Sequence, residues 1–144
     1  MNVVVIDSGV IGAWMIEDEP FHGASLRLMH AVGDGRIEPF IAGHCEFEVR
    51  HALVRAARRG RVAWADLPRC FHALDGLEAT IVPLAVKVEP VLALAERFQL
   101  TWSDAHWVEL AARLDIPLVT ADLRLIRSVP DEVAILVDVR DAAA

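Results

Sequence analysis

Four consecutive apolar residues, Val3-Val4-Val5-Ile6, run into a single carboxylate, Asp7, and the chain then reaches Ser8-Gly9. A strand with one wet face would alternate apolar and polar residues, and this one does not. It reads as a strand buried on both faces, the kind found in parallel sheets covered by helices. Asp7 then stands at the strand's C-terminal end. In open α/β sheets that edge is where ligands bind.

The rest of the chain supports a sheet of this kind. Further strands are predicted at 37–41, 79–83, 116–120 and 133–137, each bounded by Gly, Pro or charged residues. Between them, apolar residues recur at helical spacing over 10–17, 21–31, 45–59, 64–74, 88–98, 101–114 and 122–127. Strands alternating with helices predict a three-layer α/β/α architecture with a mostly parallel sheet of four or five strands. The helix over 45–59 has a predicted apolar face of Phe47, Val49, Ala52, Leu53 and Ala56. Its other face is basic, with Arg50, Arg55, Arg58 and Arg59, and Arg61 follows it.

With 144 residues and no Pro/Gly/Ser-rich linker or repeat, the chain is expected to form one domain over 1–144. No apolar run approaches the roughly 20 residues that span a bilayer, so no membrane partner is expected. Met1 leads straight into the first strand without a basic leader, which predicts a cytoplasmic protein. Cys45 and Cys70 are too few and too far apart for a disulfide framework or a zinc motif. The six histidines show no metal-binding spacing. The formal net charge of -7 argues against broad electrostatic binding to nucleic acid, but not against an acidic active site with local basic residues.

Four acids fall where elements change: Asp7 after the first strand, Glu48 and Asp104 in the first turns of helices, and Asp122 two residues past the fourth strand. Each has a plain structural explanation. Asp7 and Asp122 can cap helices, Thr101-x-x-Asp104 resembles a capping box, and Glu48 favours a helix dipole. Brought to one sheet edge without Lys or Arg partners, the four would repel one another, and a hard divalent cation relieves that repulsion. Such an ion suits phosphodiester hydrolysis.

The motifs carrying these acids are Val5-Ile6-Asp7-Ser8-Gly9-Val10, Glu48-Val49-Arg50-His51-Ala52-Leu53, Ser103-Asp104-Ala105 and Pro117-Leu118-Val119-Thr120-Ala121-Asp122. In this order they resemble the PIN-domain ribonucleases, and most closely the VapC-type toxins of bacterial and archaeal toxin–antitoxin pairs. The resemblance spans nearly the whole chain. It implies that Asp7, Glu48, Asp104 and Asp122 are the catalytic quartet and hold Mg²⁺ or Mn²⁺. It also implies an endoribonuclease acting on RNA, a homodimer, and inhibition by a small antitoxin. Ser8 and Thr120 would support the quartet, and Arg50, Arg55, Arg58 and Arg59 are candidates for RNA contact. Two positions depart from the family pattern: Gly9 stands where a serine is usual, and His51 where an asparagine is common. Glu46 rivals Glu48, but two residues on a helix point about 200° apart, so only one can face the site. A non-cleaving module of the same fold, binding RNA or a partner, is the alternative. A receiver-type phosphorylation module would want a lysine at a late strand end, and the only lysine, Lys87, is not at one.

Overall fold

The computed structural model describes residues 2–142; the other residues of the expected 1–144 unit lie outside the described range. Five strands form one sheet: β1 (Asn2–Ile6), β2 (Ile37–Ala42), β3 (Thr80–Val82), β4 (Leu118–Thr120) and β5 (Leu136–Asp138). Their order is β3-β2-β1-β4-β5, and every pairing is parallel. The helices are α1 (Ser8–Met15), α2 (His22–Gly33), α3 (Cys45–Arg58), α4 (Leu67–Asp75), α5 (Glu89–Phe98), α6 (Trp102–Leu114), α7 (Leu123–Ser128) and α8 (Val139–Ala142).

Strand order steps one way from β1 to β2 to β3, then returns across the sheet to β4 and β5. Right-handed crossovers therefore place α1–α4 on one face and α5–α7 on the other, which is the three-layer arrangement expected. The contacts agree: α1 packs on α2 and α3, α3 on α4, and α5 on α6. Val5, Ile6, Leu118 and Val119 are fully buried between the layers, and Val49, Leu53, Val108 and Leu110 press in from α3 and α6. The reversal of strand order falls between β1 and β4, the switch point where a crevice opens. Register fixes what lies there: Ile6 pairs with Val119, so Asp7 and Thr120 are neighbours at the C-terminal edge.

Several expectations need correction. The first strand is fully buried only at Val5 and Ile6; Val3 and Val4 are half-buried. Phe47, assigned to the buried face of α3, is 75% exposed. Helix phase explains it: Val49, Leu53 and Ala56 share the inner face, and Phe47 lies about 200° from Val49. The segment 64–74 begins as a 3₁₀ turn, Trp64–Asp66, before α4, whose first turn accommodates Pro68. The last strand starts at Leu136 rather than residue 133, because Val133 and Ala134 donate backbone bonds to the Pro130 carbonyl and hold a turn. α8 follows it without a sequence signal. Gly60, at φ +73°, closes α3 in the left-handed conformation that its position predicts.

Candidate acidic active site

Asp7, Ser8, Gly9, Glu48, Ser103, Asp104, Thr120 and Asp122 line one cavity of about 300 Å³ at the β1–β4 switch point. The quartet read from sequence therefore converges, with contributions from β1, α3, α6 and the turn after β4. Capping is part of how it gets there. Asp7 Oδ1 accepts from the Val10 N–H at 2.9 Å, and Asp122 Oδ1 from the Leu125 N–H at 3.1 Å. Each aspartate thus caps a helix with one oxygen, and its second oxygen lies outside the cap. At α6 the cap is Thr101, whose hydroxyl accepts from the Asp104 N–H at 3.1 Å. That leaves the Asp104 carboxylate out of the capping bond.

Thr120 is completely buried and its Oγ1 accepts from the Asp122 N–H at 3.1 Å, fixing the turn that carries Asp122. Burial pushes the Asp7 carboxyl up to about 6, against the Thr120 hydroxyl and the Val10 N–H, and the charges of Asp104 and Asp122 add to the rise. Asp104 is raised too, first by burial and then by Asp122 and Glu48, with Thr101 opposing. Among the described residues, no Arg or Lys ion-pairs Asp7, Asp104 or Asp122.

Glu48 differs from the other three. Its Oε1 lies 3.2 Å from the Ser8 hydroxyl, 3.1 Å from His44 Nε2 and 3.2 Å from the Trp107 indole nitrogen, and its Oε2 accepts from Ser103 Oγ at 2.6 Å. Burial opposes its charge, but the donors of His44, Ser103 and Trp107 outweigh it and bring Glu48 down to about 2. Oε1 is crowded by three donors, so the open acceptor position is on Oε2. Glu46 turns away to Arg50, which removes it as a rival.

Sequence reasoning marked neither His44 nor Trp107 as a partner of Glu48. His44 does sit four residues before Glu48, the spacing that makes helix neighbours. Nothing in the sequence marks Trp107 as a partner of Glu48. Ser8 provides the hydroxyl that Gly9 lacks, though to Glu48 rather than to Asp7. A Cβ at Gly9 would lie 3.5 Å from Asp7 Oδ1, an ordinary contact, so the backbone there tolerates a Cβ.

The arginines separate. Arg55, with Phe47 and His51, lines a cavity of about 460 Å³ that shares Ser8, Gly9 and Glu48 with the acidic one. Arg58 and Arg59 are exposed at the end of α3. Arg50 is instead paired with Asp75 and Glu46 and lies over the Phe71 ring, and Arg61 is held by Asp18 and Glu19.

The carboxylate and hydroxyl donors are hard oxygens, and the uncompensated charge at Asp7 and Asp104 fits a divalent cation such as Mg²⁺ or Mn²⁺. Among the described residues no three His, Cys, Asp or Glu side chains already close on one point. The four acids share a cavity wall rather than a finished ligand cage.

A family model for the PIN domain matches residues 4–131. The chain belongs to the PIN-domain family. Within it, this PIN domain is 33% identical over 109 residues to the VapC ribonuclease Mb0985 of Mycobacterium bovis and to ribonuclease VapC9 of Mycobacterium tuberculosis, covering 71% of this chain and 84% of each relative. The fold matches PAE2754 from Pyrobaculum aerophilum with a TM-score of 0.70 at 22% identity, over 95% of this chain and 92% of the other. It also matches VapBC2 from Rickettsia felis, solved with a DNA fragment from the promoter, with a TM-score of 0.62 at 12% identity over 94% and 98% of the two chains. No helix among the described residues of this PIN domain is long and apolar enough to cross a membrane.

Proposed function

We propose that this PIN domain is a divalent-metal-dependent endoribonuclease, the toxin of a toxin–antitoxin pair. The observation that carries the reading is the one cavity lined by Asp7, Glu48, Asp104 and Asp122, three of them without an Arg or Lys ion pair among the described residues. Its relatives named as VapC ribonucleases support RNA as the substrate. A neighbour named as a VapBC complex supports a small antitoxin as the partner. Mg²⁺ or Mn²⁺ held by Asp7, Asp104 and Asp122, with Glu48 directly or through water, would supply positive charge to polarise a water and to stabilise the scissile phosphate.

The chain's own groups do the remaining work. Thr120 and the Val10 N–H fix Asp7, and the Thr120–Asp122 bond fixes the turn opposite. Glu48, locked by its donors, stays ionised at neutral pH. Arg55, beside the acidic cavity, meets the phosphates of the strand entering it. The exposed apolar residues Ile81, Val86, Val88 and Leu92, on and after edge strand β3, support a homodimer through that surface. An RNA substrate fits action in the cytoplasm.

The test is cleavage of structured RNA by the purified chain with Mg²⁺ or Mn²⁺ and with chelator. Wild type should cut only with metal, and Asp7→Asn should not cut although folded. Cleavage by Asp7→Asn at the wild-type rate would remove this site from the reaction.

A further inference from the structure

Glu48 is the best-held carboxylate of the site, and the way it is held assigns a role to a residue that no motif marks. Its carboxylate is gripped from α1 by Ser8, from α6 by Ser103 and Trp107, and from the N-terminal end of its own helix by His44. Ser8 and Ser103 belong to motifs already expected to matter, and Trp107 follows one of them on α6. His44 is not among them.

We infer that His44 is a positioning residue: its Nε2–H fixes the Glu48 carboxylate against α6 and so sets the open Oε2 toward the acidic cavity. The inference rests on the nuclease reading for its consequence, but not for its geometry.

His44 Nε2 lies 3.1 Å from Glu48 Oε1 and 3.1 Å from Ser103 Oγ. Ser103 Oγ spends its hydrogen on Glu48 Oε2 at 2.6 Å, so toward His44 it presents lone pairs. Glu48 also offers lone pairs only. Nε2 must therefore carry the hydrogen, shared between the two oxygens. His44 thereby closes a ring in which it donates to both members of the Glu48–Ser103 pair and prevents Ser103 from rotating away. Its ring is held in turn: it packs on the Trp107 indole at 5.0 Å and on His106 at 5.8 Å between centroids, in a tilted arrangement. Nδ1 is buried and meets no partner, so no competing bond pulls the ring out of this orientation. The imidazole therefore acts through a single nitrogen, and a side chain that places one N–H there would reproduce it. Glutamine does so, since its amide nitrogen reaches about where histidine places Nε2. Leucine fills similar space without the donor.

Partners of this kind typically change metal affinity or activity about 10–100-fold when removed. The experiment compares the full-length wild type with His44→Leu and His44→Gln. Three quantities are read: the Trp107 indole N–H resonance, the Mn²⁺ dissociation constant by electron paramagnetic resonance, and kcat and KM for RNA. His44→Leu is expected to move the indole resonance, weaken Mn²⁺ by about tenfold or more and lower kcat with KM little changed, and His44→Gln to restore all three to within a few-fold. Wild-type values in a folded His44→Leu overturn the inference. So does a His44→Gln as impaired as His44→Leu, because packing alone would then explain the residue. If His44→Leu fails to fold, the long-range ¹⁵N spectrum of the wild-type imidazole decides, and hydrogen on Nδ1 alone overturns the assignment. A wild type that neither binds Mn²⁺ nor cleaves RNA removes the nuclease reading, while the indole and imidazole spectra still decide how Glu48 is held.

Discussion

The Ser103 hydroxyl donates to Glu48 Oε2 at 2.6 Å, joining the first turn of α6 to the first turn of α3. Asp104 is the next residue along α6. The bond that holds Glu48 therefore also fixes the helix start that presents Asp104 to the cavity. Ser103→Ala should disturb two acids with one deleted oxygen. Glu48 loses a donor that keeps its pKa low, and a hydrogen bond to a charged group is worth about 1.5–3 kcal/mol. The expected result is a lower melting temperature, a Glu48 pKa that rises in carboxylate-resolved NMR, and RNA cleavage reduced about tenfold or more. An unchanged Glu48 titration would mean that the other donors suffice.

Asp7 makes the opposite kind of prediction. Its ordinary value is 3.8 and its folded value about 6. Between those values the folded chain holds a proton that the unfolded chain has released. Stability therefore falls as pH rises through that window, and the penalty is complete above about 6. Without metal at pH 7.5 it is on the order of 3 kcal/mol. Asparagine removes the charge and remains a good helix cap. Asp7→Asn should then melt roughly 6–12 °C above the wild type in chelator, while cleavage is lost. Added Mn²⁺ should raise the wild type and close the gap. Calorimetry at pH 5 and 7.5 checks it: the gap must shrink at pH 5, and a destabilised Asp7→Asn at pH 7.5 would contradict the assigned burial.

Much of this was legible in the sequence, and the limits have physical causes. The run Val3–Ile6, the Gly60 stop and the four acids are local signals, and local signals survive without tertiary information. The pattern also located all five strands. What it missed depended on where neighbours lie. Phe47 is apolar, yet its helix phase points it to solvent. Arg50 shares a basic helix with Arg55, yet Asp75 and Phe71, from the next helix, claim it. The capping and metal-site explanations of Asp7 and Asp122 looked exclusive in one dimension, although a carboxylate has two oxygens and can serve both.

Gly9 tests how far the departure from the family pattern matters. It is the second residue of α1, and a side chain there would make only ordinary contact with Asp7 Oδ1. Gly9→Ser should stabilise the helix by about 0.5 kcal/mol, since glycine is the poorer helix former. A hydroxyl in that place can donate to Asp7 and lower its pKa. The chain should stay folded, with a slightly raised melting temperature and cleavage at or above the wild-type rate. A loss of activity would indicate that the open space beside Asp7 is itself used by substrate or water.

Arg55 and Arg50 lie five residues apart on α3 and should fail in different ways. Arg55 is exposed and lines the cavity that shares Ser8, Gly9 and Glu48 with the acidic site. Arg55→Ala should raise KM for RNA several-fold at constant kcat, and the slope of log affinity against log salt should flatten by about one contact. Its melting temperature should not move. Arg50 ties α3 to α4 through Asp75 and Phe71, so Arg50→Ala should lower stability by about 1 kcal/mol and leave the salt slope alone. Urea melts with fluorescence-anisotropy binding at several salt concentrations separate the two. If Arg50→Ala flattened the salt slope as much as Arg55→Ala, the ion pair with Asp75 would have to open on binding, and the phosphate path would run along the whole outer face of α3 rather than stop at the cavity.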